Sequence, residues 1–132
     1  MNDFLKKVFE GDGFSPSDVC LKSFRENFRG AVNVEWFEKE SIFEAIFHKK
    51  GIEYIALFDS AGILLEYRQN LSPDYLPELI RKMAYSKGEI MNSVLRNKGN
   101  RLEYEVIVRD KDLRRYLLTF SDIGDITKEV TL

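Results

Sequence analysis

The second half of this 132-residue chain repeats the pattern of the first half, and the repeat constrains the fold more than any other feature. The two segments are FEAIFHKKGIEYIALFDSAG, residues 43–62, and YEVIVRDKDLRRYLLTFSDIG, residues 104–124. Each runs from an aromatic residue and Glu through two strands joined by a charged turn, and closes with a polar turn and Gly. The second copy has one more residue in the charged turn, which predicts a slightly longer hairpin loop. The repeat therefore predicts a duplicated, strand-rich unit.

In the first half, the residues before the predicted strands have apolar side chains at helical spacing. Cys20, Phe24 and Phe28 lie four residues apart, which places them on one face of a helix. Ser17 is a good N-cap for this helix, and Gly30 suits its C-terminal end. We therefore predict an amphipathic helix between these two residues. Apolar residues at helical spacing between positions 4 and 9 predict a further short helix at the N-terminus.

A corresponding helix is predicted in the second half, capped by Ser72 and with Pro73 at its first position. Pro77 lies in the early turns and predicts an irregular start. The predicted apolar stripe consists of Leu76, Leu79, Ile80 and Met83.

After each helix the apolar period changes to two, which is typical of strands. Eight strands are predicted, at residues 32–37, 43–48, 54–58, 63–67, 89–96, 102–109, 114–120 and 125–131. Short connections imply antiparallel pairing, and helices packed on one face of such a sheet give an α+β fold. We expect a tandem duplication of a helix and a four-stranded antiparallel sheet. An extension at 1–16 precedes repeats at 17–70 and 71–132, which we expect to form one rigid domain overall because no long linker separates them.

The ionisable and reactive residues argue against several classes of function. The formal net charge of −2 predicts no strong general attraction to nucleic acid or anionic lipid. No apolar stretch approaches the ~20 residues that cross a bilayer, so we expect no membrane insertion. Cys20 is the single cysteine, which excludes a cysteine-rich zinc site. His48 is the single histidine, and no partners at positions suitable for a metal site or a His-based triad can be identified in the sequence. We therefore expect no catalytic residues, no metal site and no cofactor.

Three segments resemble a known bacterial family. They are FRENFRGAVNVEW at 24–36, FEAIF at 43–47 and IEYIALFDSAGILLE at 52–66, and they resemble PepSY-like, beta-lactamase-inhibitor-protein-like (BLIP-like) domains. In that family a strand ending in Trp follows the helix, which Trp36 matches, and a Phe-Asp-x-x-Gly turn closes the last hairpin. The turn beginning at Phe58 matches this motif, whereas Ser121 replaces the Asp in the second copy. The resemblance covers most of the chain and implies tandem repeats, export from the cytoplasm and no catalytic residues.

The alternation of side chains assigns residues to two faces of the predicted sheet. Two aligned sets are apolar in both copies and are assigned to the helix-covered face: Phe43, Ala45 and Phe47 with Tyr104, Val106 and Val108. The set assigned to the open face mixes apolar and charged residues: Glu44, Ile46, His48, Ile55, Leu57, Glu105, Ile107, Arg109 and Leu117. The apolar members of the second set predict either one exposed patch for a partner or a partly buried, two-sided sheet.

The predicted function is non-catalytic binding of a protein or peptide through this open face, by apolar complementarity within a charged rim. One alternative is an enzyme or small-ligand carrier with a pocket between the repeats, and another is a structural homodimer that uses the same face. The N-terminus lacks an apolar signal core, so we expect a cytoplasmic protein if the sequence is complete. A periplasmic or secreted protein is expected if a signal peptide was removed.

Overall fold

The computed structural model describes residues 14–132, so the short helix expected between positions 4 and 9 lies outside the described residues. The elements, in chain order, are α1 (Asp18–Asn27), β1 (Val32–Lys39), β2 (Ile42–Lys49), β3 (Ile52–Phe58), β4 (Leu64–Asn70), a 3₁₀ turn (Pro73–Tyr75), α2 (Glu78–Lys87), β5 (Glu89–Asn97), β6 (Leu102–Arg109), β7 (Arg115–Ser121) and β8 (Ile126–Thr131). The chain divides into two compact units, Met1–Tyr67 and Arg68–Leu132.

Within residues 14–132, each unit contributes one α-helix followed by four strands. The strands follow chain order, β1-β2-β3-β4 in the first unit and β5-β6-β7-β8 in the second. The pairs β1·β2 and β2·β3, and each neighbouring pair from β5 to β8, are antiparallel. The predicted α+β class is therefore confirmed, and so are all eight strands, with ends that differ from the predicted ones by at most three residues. Neither α-helix of residues 14–132 combines the length and apolar character that crossing a membrane requires.

Aromatic rings join α1 to one face of the first sheet. The Ser17 side chain accepts a hydrogen bond from the Cys20 amide at 3.3 Å, so this residue caps the helix as predicted. The predicted apolar face is buried: Cys20, Phe24 and Phe28. The Phe24 ring lies edge-on to the rings of Trp36 and Phe47, with centroid distances of 5.2 and 5.0 Å. Burial of this aromatic cluster holds the helix on the sheet.

The helix of the second unit starts later than predicted. Pro73–Tyr75 forms only a 3₁₀ turn, and the Ser72 side chain makes no capping hydrogen bond. Pro77 disfavours the helical conformation at Leu76, which has the extended angles φ −66° and ψ 143°. The α-helix therefore begins immediately after Pro77.

The apolar stripe of α2 also differs from the prediction. Leu76 and Ile80 are buried as expected, and Ala84 is buried beside them. The prediction was wrong for Leu79 and Met83, which are 59% and 38% exposed. Residues four apart share a helix face, and the face that the helix turns to its sheet contains Ile80 and Ala84.

The two hairpins that follow the aligned strands differ in length by one residue, as predicted. Lys50 and Gly51 alone connect β2 to β3, both with positive φ (53° and 78°), the conformation of a two-residue hairpin turn. In the second unit the Asp110 amide donates to the Arg114 carbonyl at 2.9 Å, which leaves three residues in the loop. The last of these, Leu113, has φ 64°, the left-handed residue that a three-residue hairpin requires.

The polar turns that close the two copies have the same pair of backbone hydrogen bonds, from Asp59 to Ile63 and Gly62 to Asp59, and from Ser121 to Asp125 and Gly124 to Ser121. Their side-chain bonds are similar but differ in number. In the first, Asp59 Oδ1 accepts hydrogen bonds from the amides of Ala61 and Ile63, both at 2.9 Å. In the second, Ser121 Oγ accepts from the Asp125 amide at 3.1 Å. Ser121 therefore retains part of the role that the Asp has in the first copy.

Candidate interaction face

Burial confirms the assignment of the helix-covered face in both units. Four of the six residues assigned to it are completely buried: Ala45, Phe47, Val106 and Val108. Phe43 and Tyr104, at the first position of each set, are partly buried and pack against the respective cores. Because successive side chains of a strand point to opposite faces, the intervening residues of β2 and β6 lie on the face away from the helix of their own unit.

In the first unit the strand register brings the predicted open-face residues together in pairs. Glu44 lies opposite Leu57, and Ile46 lies opposite Ile55. All four are partly exposed. β1 adds Phe37 opposite Glu44, a residue that the predicted set lacked. Phe37 follows Trp36 in β1, and the alternation of the two side chains could have assigned Phe37 to the open face from the sequence.

His48 lies at the end of the same face, opposite Glu53. The distance from His48 Nε2 to Glu53 Oε2 is 3.9 Å, and both side chains are nearly half exposed. Nδ1 of His48 is buried and has no hydrogen-bond partner within residues 14–132. A metal-binding group of three or more His, Cys, Asp or Glu residues is absent from that same part of the chain. His48 therefore lies at the edge of the open face, next to the carboxylate of Glu53.

In the second unit the register pairs Ile107 with Leu117 on the open face. Arg109 lies further along the strand, where its guanidinium contacts Glu89 at 3.0 Å. The predicted residues thus form one group in each unit, and each group contains an apolar cross-strand pair.

The carboxylates of β6 are neutralised within the second unit. Glu105 is 3.4 Å from the guanidinium of Arg96, and both side chains are largely buried, 20% and 25% exposed. Glu103 is 3.3 Å from Lys98 and 3.6 Å from Arg101. Such partly buried pairs are screened less than fully exposed ones, so this part of the open face is electrostatically self-complementary.

The open face of the first unit contains a groove of about 590 Å³ beside the β1–β2 hairpin. Its lining residues, called the acidic groove below, are Phe37, Glu38, Lys39, Glu40, Ile42, Glu44 and Leu57. The apolar members come from three adjacent strands, and three of the four charged members are acidic. None of these four charged side chains makes an ion pair with another residue in the range 14–132. The volume falls within the ~300–1,000 Å³ range of ligand-binding clefts.

A smaller cavity of about 270 Å³ lies on the helix side of the first unit, lined by Asn27, Phe28, Lys49, Tyr54, Leu64 and Tyr67. The Tyr54 ring stacks on Phe47 at a centroid distance of 5.3 Å. Burial raises the pKa of Tyr54, and the neighbouring Tyr67 raises it further. The cavity is below the usual size of a ligand cleft. The acidic groove is therefore the stronger candidate site.

Cys20 is enclosed in the first core, as its position on the apolar helix face predicted. Burial raises the pKa of its thiol, and the charge of Asp59 adds to the shift. Because the thiolate is the reactive form, this environment disfavours a nucleophilic role.

The sequence matches no protein-family model, and no curated protein matches it significantly. Solved structures of Bacteroides proteins do match. A BLIP-like protein from Bacteroides fragilis is 20% identical with a TM-score of 0.77, over 90% of this chain and 88% of that chain. A DUF2874 family protein from Bacteroides uniformis is 21% identical with a TM-score of 0.79, over 89% and 90%. A candidate periplasmic protein from Bacteroides eggerthii is 13% identical with a TM-score of 0.80, over 89% and 90%. The resemblance seen in the sequence is thus confirmed for the fold: this chain has the BLIP-like fold of these Bacteroides proteins.

Proposed function

We propose that this chain is a non-catalytic module that binds a protein or peptide through the open face of its sheet. The observation that carries the proposal is the partly exposed apolar surface on the side of the first unit away from α1. There Ile46 of β2 and Ile55 of β3 form a cross-strand pair, and Leu57 lies next to them in the acidic groove. An apolar centre bordered by charged residues is the usual composition of a protein interface.

The second unit supports the same role with its own apolar pair. Ile107 and Leu117 lie opposite each other, and charged residues such as Arg109 border them. The name of the BLIP-like structural neighbour points to an inhibitor-like partner interaction. Similar folds carry unrelated functions, so the fold supports the class of function and leaves the partner to experiment.

Two residues that catalysis would most readily use lie in unsuitable surroundings. Cys20 is buried with a raised pKa, which disfavours its nucleophilic thiolate. His48 has a carboxylate 3.9 Å from one ring nitrogen, and its other nitrogen is buried. These environments support a binding role over a catalytic one.

We also propose that the two units arose by duplication, as the PepSY-like resemblance implies. The shared order of one helix and four strands supports this, as does the identical spacing of the turn bonds at Asp59 and Ser121. A location in the periplasm or outside the cell is supported by the candidate periplasmic neighbour, and fractionation of cells that produce the protein would test it.

The binding proposal is tested with an open-face double variant, Ile46→Asp/Ile107→Asp. The matched control is Ile63→Asp/Ile123→Asp, which makes the same chemical change at residues that are 59% and 72% exposed. Immobilised wild type and both variants are exposed to extract, and any captured protein is purified and titrated against each.

We expect the partner to bind the wild type and the control alike, and to lose about 30-fold or more in affinity for the open-face variant. Equal binding to both double variants would refute the assignment of this face. If instead the purified wild type shows a concentration-dependent mass that the open-face variant loses, the face is the contact of a homodimer.

A further inference from the structure

We infer that the acidic groove selects a basic partner: an extended protein segment in which Lys or Arg side chains flank an apolar side chain. This inference rests on the proposed binding function and names its partner class. The groove crosses three strands, with Phe37, Ile42 and Leu57 supplied by β1, β2 and β3. Such a surface fits one or two apolar side chains of an extended segment better than an enclosed small molecule.

The carboxylates around this apolar floor have no ion-pair partner in the described part of the chain. Glu40 is exposed and Glu44 is half-buried, and neither makes an ion pair within residues 14–132. Glu38 lies opposite Phe43, so alternation directs its side chain to the other face of the strand. Lys39 is the one basic side chain among the lining residues. An unpaired carboxylate beside apolar surface attracts a cation more strongly than one surrounded by water.

The second unit provides an internal comparison. Glu105 of β6 has the same place in the repeat as Glu44, and it lies opposite Val94 as Glu44 lies opposite Phe37. Yet Glu105 is neutralised by Arg96, 3.4 Å away.

The residue of the first unit that corresponds to Arg96 does not neutralise Glu44. Arg96 lies opposite Glu103 in the second unit, and the corresponding pair in the first unit is Lys39 opposite Ile42. Lys39 is exposed and makes no ion pair with any described residue. The first unit thus has an apolar floor and unpaired carboxylates at the place where the second unit has a closed ion-pair network. A partner that brings both apolar and basic side chains complements the first unit alone.

A displayed library of random ten-residue peptides tests this inference even while the natural partner is unidentified. The target is the full chain, and the groove variant is Glu40→Gln/Glu44→Gln. Each change keeps the shape of the side chain and removes one negative charge. Circular dichroism and thermal unfolding verify that the variant retains the wild-type fold.

The matched control replaces two exposed carboxylates of the second unit, Asp122→Asn/Asp125→Asn. It loses two negative charges, as the groove variant does, so both have the same net charge. Any effect of net charge alone on the capture of basic peptides is therefore equal in the two proteins.

We expect the peptides enriched on the wild type to carry Lys or Arg next to aromatic or aliphatic residues. Their affinity should fall about tenfold for the groove variant and less than about twofold for the control. Their binding to the wild type should also weaken as salt is raised from about 25 to about 300 mM, because rim charges act mainly through screened attraction.

Two results would overturn the inference: no enrichment of basic peptides, or enriched basic peptides that bind the groove variant as tightly as the control. Enrichment of neutral apolar peptides that lose affinity for Ile46→Asp/Ile107→Asp, but not for the groove variant, would refute the basic partner class while upholding binding at the open face. Peptides indifferent to all these variants would refute both.

Discussion

Gly62→Ala tests how the closing turn of the first copy contacts its helix. Gly62 has φ +84°, in the left-handed region that favours glycine. A Cβ atom at this position would lie 2.7 Å from Val19 Cγ1 and 3.0 Å from the Val19 carbonyl oxygen. The side chain of Val19 can rotate, but its carbonyl belongs to the first turn of α1. The added methyl group therefore forces the turn and the helix apart.

The expected destabilisation has two parts. An alanine in the left-handed region costs roughly 1–2 kcal/mol relative to glycine. Insertion of a methyl group into a close-packed contact costs about 1–3 kcal/mol more. Gly62→Ala should therefore lower the free energy of unfolding by about 2–5 kcal/mol.

Alanine substitutions at two other glycines distinguish the backbone cost from the packing cost. Gly51 has φ +78°, and a methyl group added there would have no atom within 4 Å, so Gly51→Ala measures the backbone cost alone. Gly124 has φ +94°, and its methyl group would meet Leu79 Cδ2 at 2.7 Å. Because that leucine is 59% exposed, its side chain can move away. Gly124→Ala should therefore cost nearly the same as Gly51→Ala.

Tryptophan fluorescence during urea unfolding measures the effects of Gly62→Ala and Gly51→Ala in the first unit, and circular dichroism measures that of Gly124→Ala in the second. Trp36 is the only tryptophan of the chain, and it lies in the core of the first unit, so its emission reports the unfolding of that unit. With a urea dependence of about 2 kcal/mol per M, the midpoint for Gly62→Ala should fall by roughly 1–2.5 M. A midpoint no lower than that of Gly51→Ala would refute the contact between the turn and the helix backbone.

Two further predictions concern polar groups of the second unit. Ser93 is buried and its hydroxyl donates a hydrogen bond to the Leu71 carbonyl, so Ser93→Ala should lower the free energy of unfolding by about 1–3 kcal/mol. The exposed control Ser86→Ala should change it by less than about 0.5 kcal/mol. Thermal unfolding followed by circular dichroism measures both, and equal effects would contradict this account. Hydrogen bonds from the Arg114 amide, and then from the Asp112 amide and the Tyr116 hydroxyl, lower the pKa of Asp110. The ionised Asp110 therefore stabilises the folded protein. Its contribution to the free energy of unfolding is present above the unfolded-state pKa of about 3.9 and is lost as the pH falls through the lower folded-state pKa. A carboxyl titration followed by NMR should give a midpoint below that of an ordinary Asp, and Asp110→Asn should weaken the acid dependence of stability; an ordinary midpoint would contradict the prediction.

Local patterns were sufficient to predict the strands, because a period of two and turn chemistry depend on neighbouring residues. The faces of β2 and β6 follow from alternation alone, and burial of Phe47 and Val108 confirms them. The helix of the second unit was predicted less well. Pro77 delays its start through the conformation of Leu76, and the helix then turns Ala84 towards the sheet instead of Met83. The rotation of a helix about its axis is set by docking, since one residue changes the direction of a side chain by about 100°.

The sequence by itself determined the candidate face: alternation and the repeat place Glu44 and Glu105 at equivalent positions. Only the tertiary structure decided that these two carboxylates differ, because their neighbours come from another strand. Strand register brings Arg96 to 3.4 Å from Glu105, nine residues away in the chain, whereas Glu44 lies between Phe37 and Leu57 on its two neighbouring strands. The charge of a side chain is a property of the sequence, but its neutralisation depends on which distant residues the fold places within a few ångströms.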